Sequence, residues 1–149
     1  MRCTALIAFP LLFLFGCPGT LDDPSRFTGP SGQKVCTLGI NVETDIFGMT
    51  CAGASCHGDG INPGAGGIDL VKAGVTARLF DRPAVGCAGR KLVDTSSVGM
   101  SVLLARIAGS SECGVAMPLG TMGLTVAQQD CIEAWIIDEI MSSTTTGAM

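Results

Sequence analysis

Thr125-Val126-Ala127-Gln128-Gln129-Asp130-Cys131-Ile132-Glu133-Ala134-Trp135-Ile136-Ile137-Asp138-Glu139-Ile140-Met141 is the most regular stretch of the chain. Its apolar residues Val126, Cys131, Ile132, Trp135, Ile136 and Ile140 fall mostly on one face of a helix. Thr125 and Gln128 have the spacing of a capping box, which fixes where that helix starts. Shorter helical patterns precede it. Residues 42–50 carry Val42, Ile46, Phe47 and Met49; residues 74–81 carry Val75, Leu79 and Phe80, and Pro83 ends them. Residues 101–108 carry Val102, Leu103 and Ile107, with Gly109 as the stop. No segment alternates as a strand does, and no repeat is visible. The pattern predicts an all-α domain of four or five short helices joined by long loops.

The ends of the chain read differently. Ala5 to Phe15 is an apolar run behind Arg2, too short to span a bilayer and of the length of a signal-peptide core. It ends in Leu14-Phe15-Gly16-Cys17, which resembles a bacterial lipoprotein signal. Residues 1–16 are therefore read as a leader and Cys17 as the lipidated residue. That places the protein on the periplasmic side of a bacterial membrane, held by its lipid. Residues 17–35, rich in Pro, Gly, Ser and Thr without a hydrophobic period, are read as a flexible tether. The domain is expected over residues 36–141 and a disordered tail over 142–149.

Charge narrows the partners. The chain has 9 basic residues, one of them Arg2 in the leader, against 13 acidic ones. This acidic balance argues against nucleic acid. Aromatic side chains make up only 5% of residues, and Tyr is absent, so the core needs another source of cohesion. Cysteine supplies one candidate. Beyond Cys3 in the leader and Cys17, the chain holds Cys36, Cys51, Cys56, Cys87, Cys113 and Cys131. An even number in an oxidising compartment reads first as disulfides, with connectivity open from sequence alone.

Two of these cysteines have a second reading. His57, the only histidine, follows Cys56 directly in Cys51-Ala52-Gly53-Ala54-Ser55-Cys56-His57-Gly58. A haem-attachment signature is Cys-x-x-Cys-His, with two thioethers to the porphyrin and the imidazole on iron. Here four residues, not two, separate the cysteines. Cys51 can reach the second vinyl group through a widened loop, leave Cys56 as the only attachment, or belong to a disulfide. Met117-Pro118 supplies a thioether, and His with Met is a common axial pair for haem iron. Met122 competes with Met117, and core filling is the ordinary use of any methionine. Long loops without structure are uncommon in a small domain unless they have something large to wrap.

From about Ile46 to Ile137 the order of blocks resembles small bacterial cytochrome c domains. The blocks are Ile46-Phe47, Cys56-His57-Gly58, Gly66-Gly67-Ile68-Asp69-Leu70, Ser101-Val102-Leu103-Leu104, Gly109, Met117-Pro118 and Trp135-Ile136. The resemblance implies a cytochrome c-like fold around haem c. It implies attachment through Cys51 and Cys56, iron ligation by His57 and Met117, and electron transfer between redox protein partners rather than catalysis. On that reading four cysteines remain, and the expected pairs are Cys87–Cys113 and Cys36–Cys131. The alternative is a haem-free, disulfide-stapled lipoprotein acting as a structural or interaction module. An oxygen- or peroxide-reactive haem enzyme is a third class, and it requires Met117 to be away from iron.

The remaining features are weaker. Arg82, Arg90 and Lys91 are candidate partners for haem propionates, with solvation the plainer reading. Asp59, Asn62 and Asp69 lack the spacing of a calcium loop. The glycine-rich segment lacks the Gly-Lys-Ser/Thr of a phosphate cradle. Phe47 and Trp135 are candidates to meet where the first and last helices cross.

Overall fold

The computed structural model describes residues 34–64, 66–110 and 112–146. The leader, Cys17 and all of the tether except Lys34 and Val35 lie outside the described residues, as does the end of the tail. The architecture is all-α. An opening helix spans Val42–Cys51, wound as a π-helix. Two short helices follow at Val75–Leu79 and Val102–Ile107, the second preceded by a 3-10 turn at Val98–Met100. The closing helix spans Val126–Thr146 and so continues past Met141, where the sequence pattern places its end. No helix among the described residues is long and apolar enough to cross a membrane.

Local chemistry sets both helix starts. Thr125 Oγ1 accepts from the Gln128 N–H at 3.3 Å, and Gln128 Oε1 accepts from the Thr125 N–H at 2.9 Å. This is the reciprocal capping box that the sequence predicts. The opening helix uses a related device. Asn41 Oδ1 accepts from the Thr44 N–H at 3.0 Å, and Asp45 Oδ2 accepts from the Asn41 N–H at 2.8 Å.

The core forms where these two helices meet. Ile46, Phe47, Cys131, Ile132 and Ile136 are all at most 1% exposed, and Val75, Leu79 and Val93 close the other side. Trp135 takes the Phe47 ring edge-on at 5.4 Å between centroids, and Phe80 at 5.9 Å. Such aromatic pairs contribute about 0.5–1.5 kcal/mol beyond the area they bury. A smaller cluster gathers Ala84, Val102 and Cys113.

Two disulfides staple this arrangement. Cys36 is joined to Cys131, tying the domain's entry to the second turn of the closing helix. Cys87 is joined to Cys113, tying the loop after the second helix to the loop after the third. Lys34 supports the first staple through an ion pair to Asp130 at 2.7 Å.

The long loops are pinned by their own side chains, and the expectation that they wrap a haem is corrected accordingly. Asp59 Oδ1 accepts from the Ile61 and Asn62 N–H groups, and Asp69 Oδ1 from those of Val71 and Lys72. Arg78 donates to the carbonyls of Asp69, Lys72 and Ala73. Arg90 donates to the Met100 carbonyl and Arg106 to that of Cys113. Arg82 donates to the Ala77 carbonyl. The three side chains read as candidate propionate partners are thus engaged within the protein, Lys91 through Asp81 and Asp94.

Asp81 anchors one of these turns. Its φ is +54°, a conformation tolerated better by Asp and Asn than by most residues. Its carboxylate accepts from Lys91 Nζ at 2.7 Å and Thr95 Oγ1 at 2.6 Å. The Lys91 bond first, then the Thr95 bond, hold its pKa down to about 2, below the ordinary 3.8. A depressed folded-state pKa contributes stability above the ordinary value, and that contribution fades as pH falls toward 2. Asp81→Asn is therefore expected to be less stable than wild type at pH 6, with the two curves converging near pH 2. Urea unfolding across that range measures it, and a constant gap would remove Asp81 from the acid response.

Candidate functional site

The segment from Cys51 to Leu70 carries the chemistry that the sequence singles out. The opening helix ends at Cys51, and the chain then turns back on itself. The Gly53 N–H donates to the Gly58 carbonyl at 2.7 Å, and the Gly58 N–H returns the bond at 3.1 Å. Inside that bridge the Cys56 N–H reaches the Gly53 carbonyl at 2.9 Å. Outside it the His57 N–H reaches the Cys51 carbonyl at 3.1 Å. Gly53 carries φ +120°, which a side chain rarely permits, so this tight hairpin depends on its glycine.

The hairpin brings Cys51, Cys56 and His57 together, but in different surroundings. Cys51 is half-buried and packs on the main core, whereas Cys56 is exposed. Burial first, and then the neighbouring Cys56, push the Cys51 thiol up to about 11. His57 is tucked under the next turn. A Cβ added at Gly66 would lie 2.5 Å from its Cε1, so only glycine lets that backbone approach the ring. Burial lowers the His57 pKa, the Ile68 carbonyl pulls it up, and the Arg106 charge lowers it further. Although the Ile68 carbonyl lies close enough to act on the ring, Nδ1 is buried without a well-formed hydrogen bond. The His57 carbonyl meanwhile accepts from the Leu70 N–H at 2.8 Å, fixing the loop beneath.

Met117 is half-buried, and its N–H donates to the Arg106 carbonyl at 2.9 Å. Met122 is fully exposed. Among the described residues, Cys36, Cys131, Cys87 and Cys113 are in disulfides, leaving Cys51 and Cys56 as free thiols.

This donor set corrects the haem expectation. Among the described residues no group of three or more His, Cys, Asp or Glu side chains is placed to hold a metal ion. The Cys51-x4-Cys56-His57 spacing is not that of the attachment motif, and half-buried Cys51 is committed to the core. The cation whose charge bears on the imidazole is Arg106, a permanent guanidinium. A cavity of about 440 Å³ does exist, but it follows the Cys36–Cys131 seam, lined by Val35, Ile40, Trp135 and Met141 among others. None of Cys51, Cys56, His57 and Met117 lines it. Haem c, iron ligation by His57 and Met117, the cytochrome c resemblance and the electron-carrier reading that depended on them are therefore set aside. Asp59, Asn62 and Asp69 likewise form turns rather than a cation site.

The sequence pattern missed the roles of Arg78 and Arg106, because a surface arginine and one folded back onto backbone carbonyls look alike in sequence. No family model, curated protein or solved structure matches the chain.

Proposed function

We propose that this protein is a disulfide-stapled interaction module, a binding rather than a catalytic protein, exported and held at the periplasmic face of a bacterial membrane by a lipid on Cys17. The observation that carries the module reading is the covalent closure of the chain's entry onto its closing helix at Cys36–Cys131. A second internal disulfide at Cys87–Cys113 supports it. Disulfides of this kind persist in oxidising compartments, which agrees with an apolar leader ending in Leu14-Phe15-Gly16-Cys17. The partner is taken to be another protein, met at the membrane surface, and nucleic acid is disfavoured by the acidic balance of the chain.

Two arms of one experiment test this. In a bacterial host given labelled palmitate, the full-length chain is expected to take up label and Cys17→Ser to take up none. Equal labelling of the two, or none in either, overturns the anchor. Amine cross-linking in the same cells is expected to give a discrete adduct of higher mass. Only monomer, at normal expression, overturns the interaction role.

A further inference from the structure

Four of the described cysteines are oxidised in pairs, and two are not. The two free thiols share one small hairpin. Only Ala52, Gly53, Ala54 and Ser55 separate them, all small residues. The bond from the His57 N–H to the Cys51 carbonyl sets Cys51 opposite the residue next to Cys56. The thiols are near enough for charge on Cys56 to be felt at Cys51. Their exposure is unequal, with Cys56 open to solvent and Cys51 half-buried at the edge of the core. Nothing in the stapled-module reading uses this pair.

We propose that Cys51 and Cys56 form a dithiol that exchanges with a disulfide on a protein or peptide partner, exposed Cys56 attacking first and sheltered Cys51 resolving. A thiol that meets a partner must be accessible, whereas one that only resolves needs to reach its neighbour alone. The hairpin provides this asymmetry, and its Gly53–Gly58 bridge folds the two cysteines back toward each other, as a disulfide, which requires Cα atoms within about 7 Å, demands.

The chemistry balances without a cofactor. The Cys56 thiolate attacks one sulfur of the partner's disulfide. That S–S bond breaks, and the departing sulfur takes up the proton lost from Cys56. Cys51, deprotonated by solvent, then attacks Cys56 Sγ. The mixed disulfide breaks, and the second partner sulfur leaves and is protonated. Two electrons and two protons pass to the partner's disulfide, and a Cys51–Cys56 bond forms.

Glutathione disulfide is the probe. The purified full chain is incubated with it at neutral pH without oxygen, quenched in acid, alkylated and mapped by mass. Wild type is expected to lose two hydrogens from the peptide holding both residues and to retain no glutathione. Cys51→Ala is expected to accumulate one glutathione on Cys56. Cys56→Ala, left with half-buried Cys51, is expected to react markedly more slowly than Cys51→Ala, left with exposed Cys56. Burial shields the Cys51 sulfur and disfavours its thiolate, whereas the Cys56 sulfur is open to solvent. Circular dichroism confirms that both variants are folded, and Cys51→Ser replaces Cys51→Ala if that variant is not. The proposal is overturned if wild type keeps glutathione on Cys56 with Cys51 free, if both thiols stay unreacted, or if the two single variants react at equal rates. The assay is run in solution, so its outcome is independent of the membrane anchor.

Discussion

Cys36→Ala/Cys131→Ala is expected to lose about 4–5 kcal/mol of unfolding free energy, the larger of the two staple effects. The disulfide spans a sequence separation of 95 residues, and a longer closed loop removes more freedom from the unfolded chain. The Cys87–Cys113 bond spans 26, and the same relation gives about 3.5 kcal/mol for its double alanine variant. Cys131 is fully buried, so its truncation also removes packing around Ile132 and Ile136. The ion pair of Lys34 with Asp130 holds the entry nearby after the covalent link is gone, but a partly exposed pair contributes at most about 1 kcal/mol. Urea unfolding of both double variants against wild type measures the order. A larger loss from the shorter loop would mean that Cys36–Cys131 does not govern stability.

Phe47→Ala is expected to cost about 3–5 kcal/mol, the range for removing a buried aromatic side chain. Phe47 is 1% exposed, and its ring meets the single tryptophan, Trp135, at an interplanar angle of 88°. Trp135 also touches Phe80, so one substitution loosens the joint among the opening helix, the closing helix and the turn after the second helix. Met49→Ala, at 81% exposure on the same helix, is expected to change stability by less than about 0.5 kcal/mol. Urea titration followed by Trp135 fluorescence checks both, and a Phe47→Ala loss below about 1 kcal/mol would show that this joint is not the core.

What the sequence revealed follows from the range of the interactions. The closing helix was legible because its capping box and apolar face are encoded within a few turns; the box appears as read, and so does the face from Cys131 to Ile140, while Val126 in the first turn is exposed. The contact of Phe47 with Trp135 followed from two amphipathic faces that each needed cover. The pairs Cys36–Cys131 and Cys87–Cys113 are also those that the structure joins. The π winding of Val42–Cys51 was not legible, since a difference of one residue in hydrogen-bond reach leaves little mark on an apolar pattern. The haem reading went astray at Cys51-x4-Cys56-His57. Adjacent Cys and His residues announce ligation in a sequence, yet ligation depends on which donors converge in space. The long loops strengthened that reading because their real supports, Arg78 and Arg106 on carbonyls and Asp59 and Asp69 in turns, are bonds of ordinary surface residues.

The bond between Cys36 and Cys131 also fixes how the molecule carries tension. A pull applied at Lys34 and at the end of the closing helix travels through the two sulfurs and then along the last turns of that helix. Residues 37–130 lie inside the covalent ring, so such a force cannot stretch them out. Extension is confined to the few residues before Cys36 and to the helix beyond Cys131, and the interior of the domain is mechanically shielded from whatever its ends are fastened to.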